Sequence, residues 1–157
     1  MRDPMRKPRM LVWGLVALLS LVSSAYGRKE SGGPPFQYAG GTRKITHHCA
    51  GNLQVTGDML TFKCPAGSID IPFSSVILME YRPTLSDRVR KLKPKWKVQP
   101  ESRAGRSNGY FTIVYKELDA THVVVLKVAV RSMRPYLAEI ELKSGKRVEV
   151  MGYEDYL

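Results

Sequence analysis

A mostly β domain, a partly open antiparallel barrel of six or seven strands closed by one C-terminal helix, is the fold this sequence predicts. Three observations predict it. Apolar and polar residues alternate with period two from Leu53 onward. Turn residues interrupt that alternation at short intervals, at Gly57-Asp58, at Pro65-Ala66-Gly67 and again at Leu118-Asp119-Ala120. A terminal segment then changes period, with Met133, Tyr136, Leu137 and Ile140 on one helical face.

The elements follow in chain order. Residues 53–56 and 59–63 form a hairpin: Leu53 and Val55 alternate with Gln54 and Thr56, Leu60 and Phe62 with Thr61 and Lys63. Gly57 suits the first central position of a tight turn. Ile69, Ile71 and Phe73 make a third strand, which Pro72 ends or confines to an edge. Residues 76–81 are a fourth. Residues 82–109 form a long basic stretch punctuated by Pro83, Pro94, Pro100, Gly105 and Asn108-Gly109, with room for a short helix near 86–92 and a strand near 96–98. Loops this long are uncommon and often functional. Residues 110–117 form a strand with Phe111, Ile113 and Tyr115 on one face. Residues 121–130, the most apolar, are the central strand. Residues 132–150 admit two solutions. As a helix they are capped by Ser132 and ended by Ser144-Gly145; as a hairpin they turn at Ser144-Gly145. The helix is favoured because a half-closed sheet needs cover at its open end, and a short strand at 147–150 is compatible with either solution.

Before the domain stands a different kind of segment. Arg2, Arg6, Lys7 and Arg9 precede an apolar run at residues 10–22, and small residues follow at Ser23, Ser24, Ala25 and Gly27. This is the order of a secretory signal peptide, residues 1–27, cleaved after Gly27 or Ala25. The run is short for a span, which needs roughly 20 residues; a retained N-terminal anchor is the alternative. Residues 28–48, rich in Gly and Pro, are expected to be a flexible lead, and residues 49–157 the packed domain. Export to a periplasmic or extracellular space permits disulfides, and Cys49 and Cys64 flank the first hairpin closely enough to bond.

Charge points to the partner. The chain carries +11 overall, and removing four basic residues and one acidic residue with the leader leaves +8. Such a balance favours acidic partners, either an anionic envelope lipid or polymer or an acidic protein face. Nucleic acid is a weaker candidate in an exported protein. The charge concentrates at Arg88, Arg90, Lys91, Lys93, Lys95 and Lys97, around Trp96, which suits an anionic surface; a solvated loop with Trp96 folded onto the barrel is the competing expectation. His47-His48 beside Cys49 is not a metal site if the two histidines sit in a strand and face opposite ways. His122 has no assigned role. Glu80, Glu117 and Asp119 fall near strand ends and a turn, as solvated acids do. Nucleophile, metal, redox and nucleotide motifs are absent after the leader, so a non-enzymatic protein without cofactor is expected. An unrecognised small hydrolase is the remote alternative.

Gly51-Asn52-Leu53-Gln54-Val55-Thr56, Leu60-Thr61-Phe62, Ile71-Pro72-Phe73-Ser74-Ser75-Val76 and Met79-Glu80-Tyr81 resemble strand starts of small exported bacterial proteins of the pleckstrin-homology-like, or GRAM-like, kind. Ser144-Gly145-Lys146 looks like the close of their terminal helix, and the resemblance spans residues 49–150. It implies a binding or scaffolding module for lipid headgroups or peptides. The family's basic lipid motif lies in the first hairpin turn; here that turn is Gly57-Asp58, short and acidic, so phosphoinositide binding by that route is not implied.

Overall fold

The computed structural model describes residues 34–152, so the expected signal peptide lies outside the described residues. The strands are β1 (Phe36–Gly41), β2 (Ala50–Val55), β3 (Met59–Cys64), β4 (Gly67–Pro72), β5 (Val76–Arg82), β6 (Asn108–Glu117), β7 (Ala120–Ala129) and β8 (Glu149–Val150). Two helices join them, α1 (Asp87–Lys91) and α2 (Val130–Ser144). All eight strands form one sheet in the order β4-β3-β2-β1-β7-β6-β5-β8. Neighbours are antiparallel except β8, which runs parallel to β5. The sheet is open, with β4 and β8 as its ends. The expected partly closed barrel of six or seven strands is therefore corrected to an open sheet of eight.

The extra strands come from two places. The stretch 28–48, expected to be a flexible lead, contains β1, which lies between β2 and β7 in the middle of the sheet. Phe36, Tyr38 and Ala39 are buried. The glycines that suggested flexibility serve close packing instead. A Cβ on Gly40 would stand 2.7 Å from Pro100 and from the Val98 carbonyl. That space lets the chain at Val98 bridge to Gly41. The other, β8, is the short strand expected at 147–150; it is only two residues long and pairs with Glu80 and Tyr81.

Elsewhere the alternation predicts the sheet well. In the β2–β3 hairpin Leu53, Val55, Leu60 and Phe62 are buried. The Thr56 N–H donates to the Met59 carbonyl at 2.9 Å, closing the Gly57-Asp58 turn. Register pairs Asn52 with Lys63, which brings Cys49 within a disulfide of Cys64, their Cα atoms 6.0 Å apart. Pro72 ends β4, and the chain bends through a 3₁₀ turn that buries Phe73. The β6–β7 hairpin carries ten pairs, from Asn108↔Ala129 to Glu117↔Ala120, and turns at Leu118 and Asp119, both with positive φ as such a turn requires.

The sheet has two faces and two covers. One face gathers Phe36, Tyr38, Leu53, Phe62, Met79, Tyr81, Phe111, Ile113, Val124 and Leu126, and α2 closes it with the fully buried Met133 and Ile140. Gly109 leaves room there for Tyr81, whose ring would lie 2.5 Å from a Cβ at that position; the Tyr81 hydroxyl donates to the Val128 carbonyl. The helix is the form 132–144 adopts, and Gly145 ends it in the left-handed conformation. Its start differs from expectation. Ser132 lies inside α2, whose first residue is Val130, and Ala129 at the N-cap offers no side-chain bond. The Val130 N–H instead donates to the Ser107 carbonyl at 3.2 Å, so β7 passes into α2 without a polar cap. The opposite face carries Ala39, Tyr110, Val114, Val123 and Val125, and the 82–109 segment covers it through Val89, Ala104, Leu85 and Trp96. Among the described residues, no helix is long and apolar enough to cross a membrane.

Candidate ligand-binding site

The segment between β5 and β6 is held in place by its own chemistry. Ser86 caps α1, its Oγ accepting from the Val89 N–H at 3.3 Å, and Asp87 stands in the first turn. Val89 is the one α1 residue that is buried, which fastens the helix to the sheet. Lys93 then takes a positive φ of 46°, Pro94 follows, and the Trp96 N–H donates to the Pro94 carbonyl at 2.9 Å. Lys97 and Val98 donate to the Gly41 carbonyl, so the chain runs along β1. Beyond it, the Tyr110 hydroxyl donates to the Glu101 carbonyl at 3.1 Å and the Ala104 N–H to the Pro83 carbonyl at 3.0 Å.

This path sorts the seven residues predicted to bind. Arg88 is engaged elsewhere: its guanidinium donates to the Glu149 carboxylate on β8 at 2.8 Å. Lys91 is exposed at the end of α1. Arg90, Lys93 and Trp96 line one cleft of about 540 Å³, together with Gln99, Glu101 and Ser102. Lys93, Lys95 and Lys97 line a second of about 400 Å³, together with Thr42, Leu92 and His122. Lys93 and Pro94 belong to both, so residues 90–97 are a ridge between two clefts. Among the described residues, Arg90, Lys91, Lys93, Lys95 and Lys97 have no carboxylate partner. Trp96 is half-buried, packed against the second core cluster with one part left to the cleft. Gln99, Glu101 and Ser102 carry no sequence signal of a binding role; the fold alone brings them to Trp96.

The candidate acids behave in three ways. Asp119 is exposed in its turn. Glu117 pairs with Arg43, whose Nε donates to the Tyr115 hydroxyl at 3.0 Å. Glu80 overturns the expectation of a solvated acid: it is 1% exposed, and both its carboxylate oxygens lack a hydrogen-bond partner. Its neighbours Met79 and Tyr81 face the α2 side, so Glu80 faces the layer covered by 82–109.

His122 belongs to the Arg43 cluster. Its Nδ1 lies 3.0 Å from Thr42 Oγ1, its Nε2 3.8 Å from the Glu117 carboxylate, and its ring stacks on Tyr115. Burial, then the nearby Arg43, lowers its pKa from the usual 6.5. The order hydroxyl, imidazole, carboxylate is that of an activated nucleophile. Thr42 Oγ1, however, already accepts from the Val123 N–H at 3.1 Å, which makes it the cap of the β1–β7 ladder. Burial pushes the Tyr38 and Tyr110 hydroxyls up to about 12, so both remain donors to the carbonyls they hold.

His47 and His48 also differ from expectation. They occupy a turn, not a strand: the Cys49 N–H donates to the Thr46 carbonyl, and His48 has a φ of 64°. Their rings therefore stack, centroids 3.8 Å apart, on one side of the chain. Among the described residues, no group of three metal-binding side chains occurs. No family model, curated protein or solved structure matches this chain.

Proposed function

We propose that the protein is a non-enzymatic binding module of pleckstrin-homology-like layout that docks onto an anionic partner in an oxidising, extracytoplasmic space through residues 82–109. One observation carries this: the unpaired cations Arg90, Lys93, Lys95 and Lys97 are divided between two clefts that meet at Lys93. Cations that hold no internal partner and line concave surfaces concentrate potential where an anion can enter. The Cys49–Cys64 bond agrees with export, and a mostly β sheet with one C-terminal helix agrees with the layout. The eight-strand count and the parallel β8 depart from the simplest form of that layout.

Sedimentation with phosphatidylglycerol vesicles and retention on polygalacturonate beads test it. Binding to at least one is expected at low ionic strength, weakening as salt screens the cations. With on the order of 1 kcal/mol per cation, the triple change Lys93→Ser, Lys95→Ser, Lys97→Ser weakens binding about 100-fold. The melting temperature stays nearly constant, because these side chains are exposed. A protein that ignores both matrices at low salt overturns the proposal.

Docking of an acidic protein is a second reading. It is favoured by β4, a terminal strand of the sheet, whose outer edge has no strand neighbour among the described residues.

A further inference from the structure

The two clefts differ in chemistry, and the difference narrows the class of anion. The cleft at Lys95 and Lys97 offers cations beside Leu92 and a β-strand end. The cleft at Trp96 offers more: two cations, an indole, and the hydrogen-bonding side chains of Gln99, Glu101 and Ser102 within one concavity of about 540 Å³. That volume falls in the range of small-ligand sites, which combine an apolar wall with a few placed polar groups.

A bilayer makes poor use of this arrangement. Interfacial anchoring wants an apolar tip that protrudes toward the headgroups. Trp96 is instead half-buried against the sheet, and it lines a concavity. A bare phosphate fits no better, since it has no surface to lay on the indole and no hydroxyls for Gln99, Glu101 and Ser102.

A carboxylate-bearing pyranose meets every group. One face of such a ring is a patch of C–H bonds that stacks on an indole. Its hydroxyls exchange hydrogen bonds with an amide, a hydroxyl and a carboxylate acceptor. Its carboxylate suits the planar fork of Arg90, with Lys93 as a second, point-like cation. The wall is also pre-formed, because the Tyr110 hydroxyl holds the Glu101 carbonyl and Ala104 is tied to Pro83. Lys93 continues the positive line into the second cleft, so a longer chain of acidic sugars gains further contacts at Lys95 and Lys97.

We therefore propose that the Trp96 cleft is a subsite for an acidic oligosaccharide, a chain of uronate-type sugars. This rests on the anionic docking reading above and names its ligand class. Calorimetric titration with trigalacturonate, maltotriose and tripolyphosphate, alongside sedimentation with phosphatidylglycerol vesicles, tests it. Trigalacturonate is expected to bind with salt sensitivity, and uncharged maltotriose at least about tenfold more weakly. Arg90→Ser and the pair Gln99→Ala, Ser102→Ala each weaken trigalacturonate about tenfold. The Gln99 and Ser102 pair leaves tripolyphosphate binding unchanged. All three side chains lie outside the buried core, so unaltered melting curves certify these variants as folded. Vesicle binding without trigalacturonate binding overturns the sugar subsite and leaves anionic docking standing. So does trigalacturonate binding that Gln99→Ala, Ser102→Ala does not weaken. Failure to bind any anionic probe at low salt overturns both.

Discussion

Replacing Glu80 by Met should stabilise this protein. Glu80 sits on β5 opposite Thr112 on one side and Glu149 on the other, 1% exposed, with no donor to either carboxylate oxygen. Arg88 on α1 is engaged with Glu149. A buried polar group without a partner costs about 1–3 kcal/mol of desolvation, and exchanging buried ionic groups for apolar ones of similar volume has gained about 1–4 kcal/mol. Met keeps the length and flexibility of Glu and adds no branching at Cβ. The expected gain is therefore about 1–4 kcal/mol, or roughly 4–16 °C in melting temperature for a domain of this size. Urea unfolding should show a higher midpoint with an unchanged slope, the sign of altered stability and not altered compactness. Glu80→Gln should gain less, because the amide leaves its own polar atoms unpaired. A Glu80→Met protein that loses more than about 1 kcal/mol would refute the reasoning.

Two further outcomes are expected. Reducing the Cys49–Cys64 bond, which spans a sequence separation of 15, should cost about 3 kcal/mol by freeing the unfolded chain; an unchanged urea midpoint after complete reduction would contradict this. His122 should make stability fall with acid: its folded pKa lies below the unfolded 6.5, so the unfolded chain binds the proton first, and stability present above 6.5 is lost as pH falls through 6.5 toward the folded value. His122→Gln should flatten the urea midpoint between pH 7 and about 5 relative to the parent, and an identical slope in the two proteins would show that His122 is not the source.

Period two made the half-buried strands legible, because a side chain facing water on one face and the core on the other must alternate. Leu53 to Phe62 obey it; Phe111 to Tyr115 lie in a strand buried on both faces, and the face of α2 at Met133 and Ile140 follows the helical period instead. The strand hidden in the sequence, β1, escapes for a physical reason. β1 has Gly40 and Gly41 at its end, and composition cannot tell a glycine chosen for freedom from one chosen for the close approach of Pro100. β8, expected as a short strand at 147–150, is shorter still at two residues. The basic run at 88–97 was visible as a cluster of charge. Its division was not visible, because which cations face which cleft depends on the left-handed turn at Lys93 and on the return of Val98 to Gly41. Glu80 defies its pattern, because a lone acid near the end of an alternating strand is ordinarily on the wet face. Here that face is roofed by α1 and the chain that follows it.

The two covers of the sheet divide labour by how they are bound. Helix α2 supplies Met133 and Ile140 to the main cluster, and its residues have no role in either cleft of the basic segment. Damage there should appear as lost stability. The 82–109 cover fastens itself through fewer apolar side chains, chiefly Val89 and Ala104, with Leu85 and Trp96 only partly buried, and displays its cations outward. An unpartnered carboxylate on the face beneath this cover reduces the free energy that holds it down. Glu80→Met should therefore tighten the cover along with the domain, slowing hydrogen exchange at the Ala104 N–H more than at the strand amides of β2 and β3. Equal slowing throughout would mean that the cover and the sheet open as one unit, and that the orphan acid is a general cost and not one borne by the binding layer.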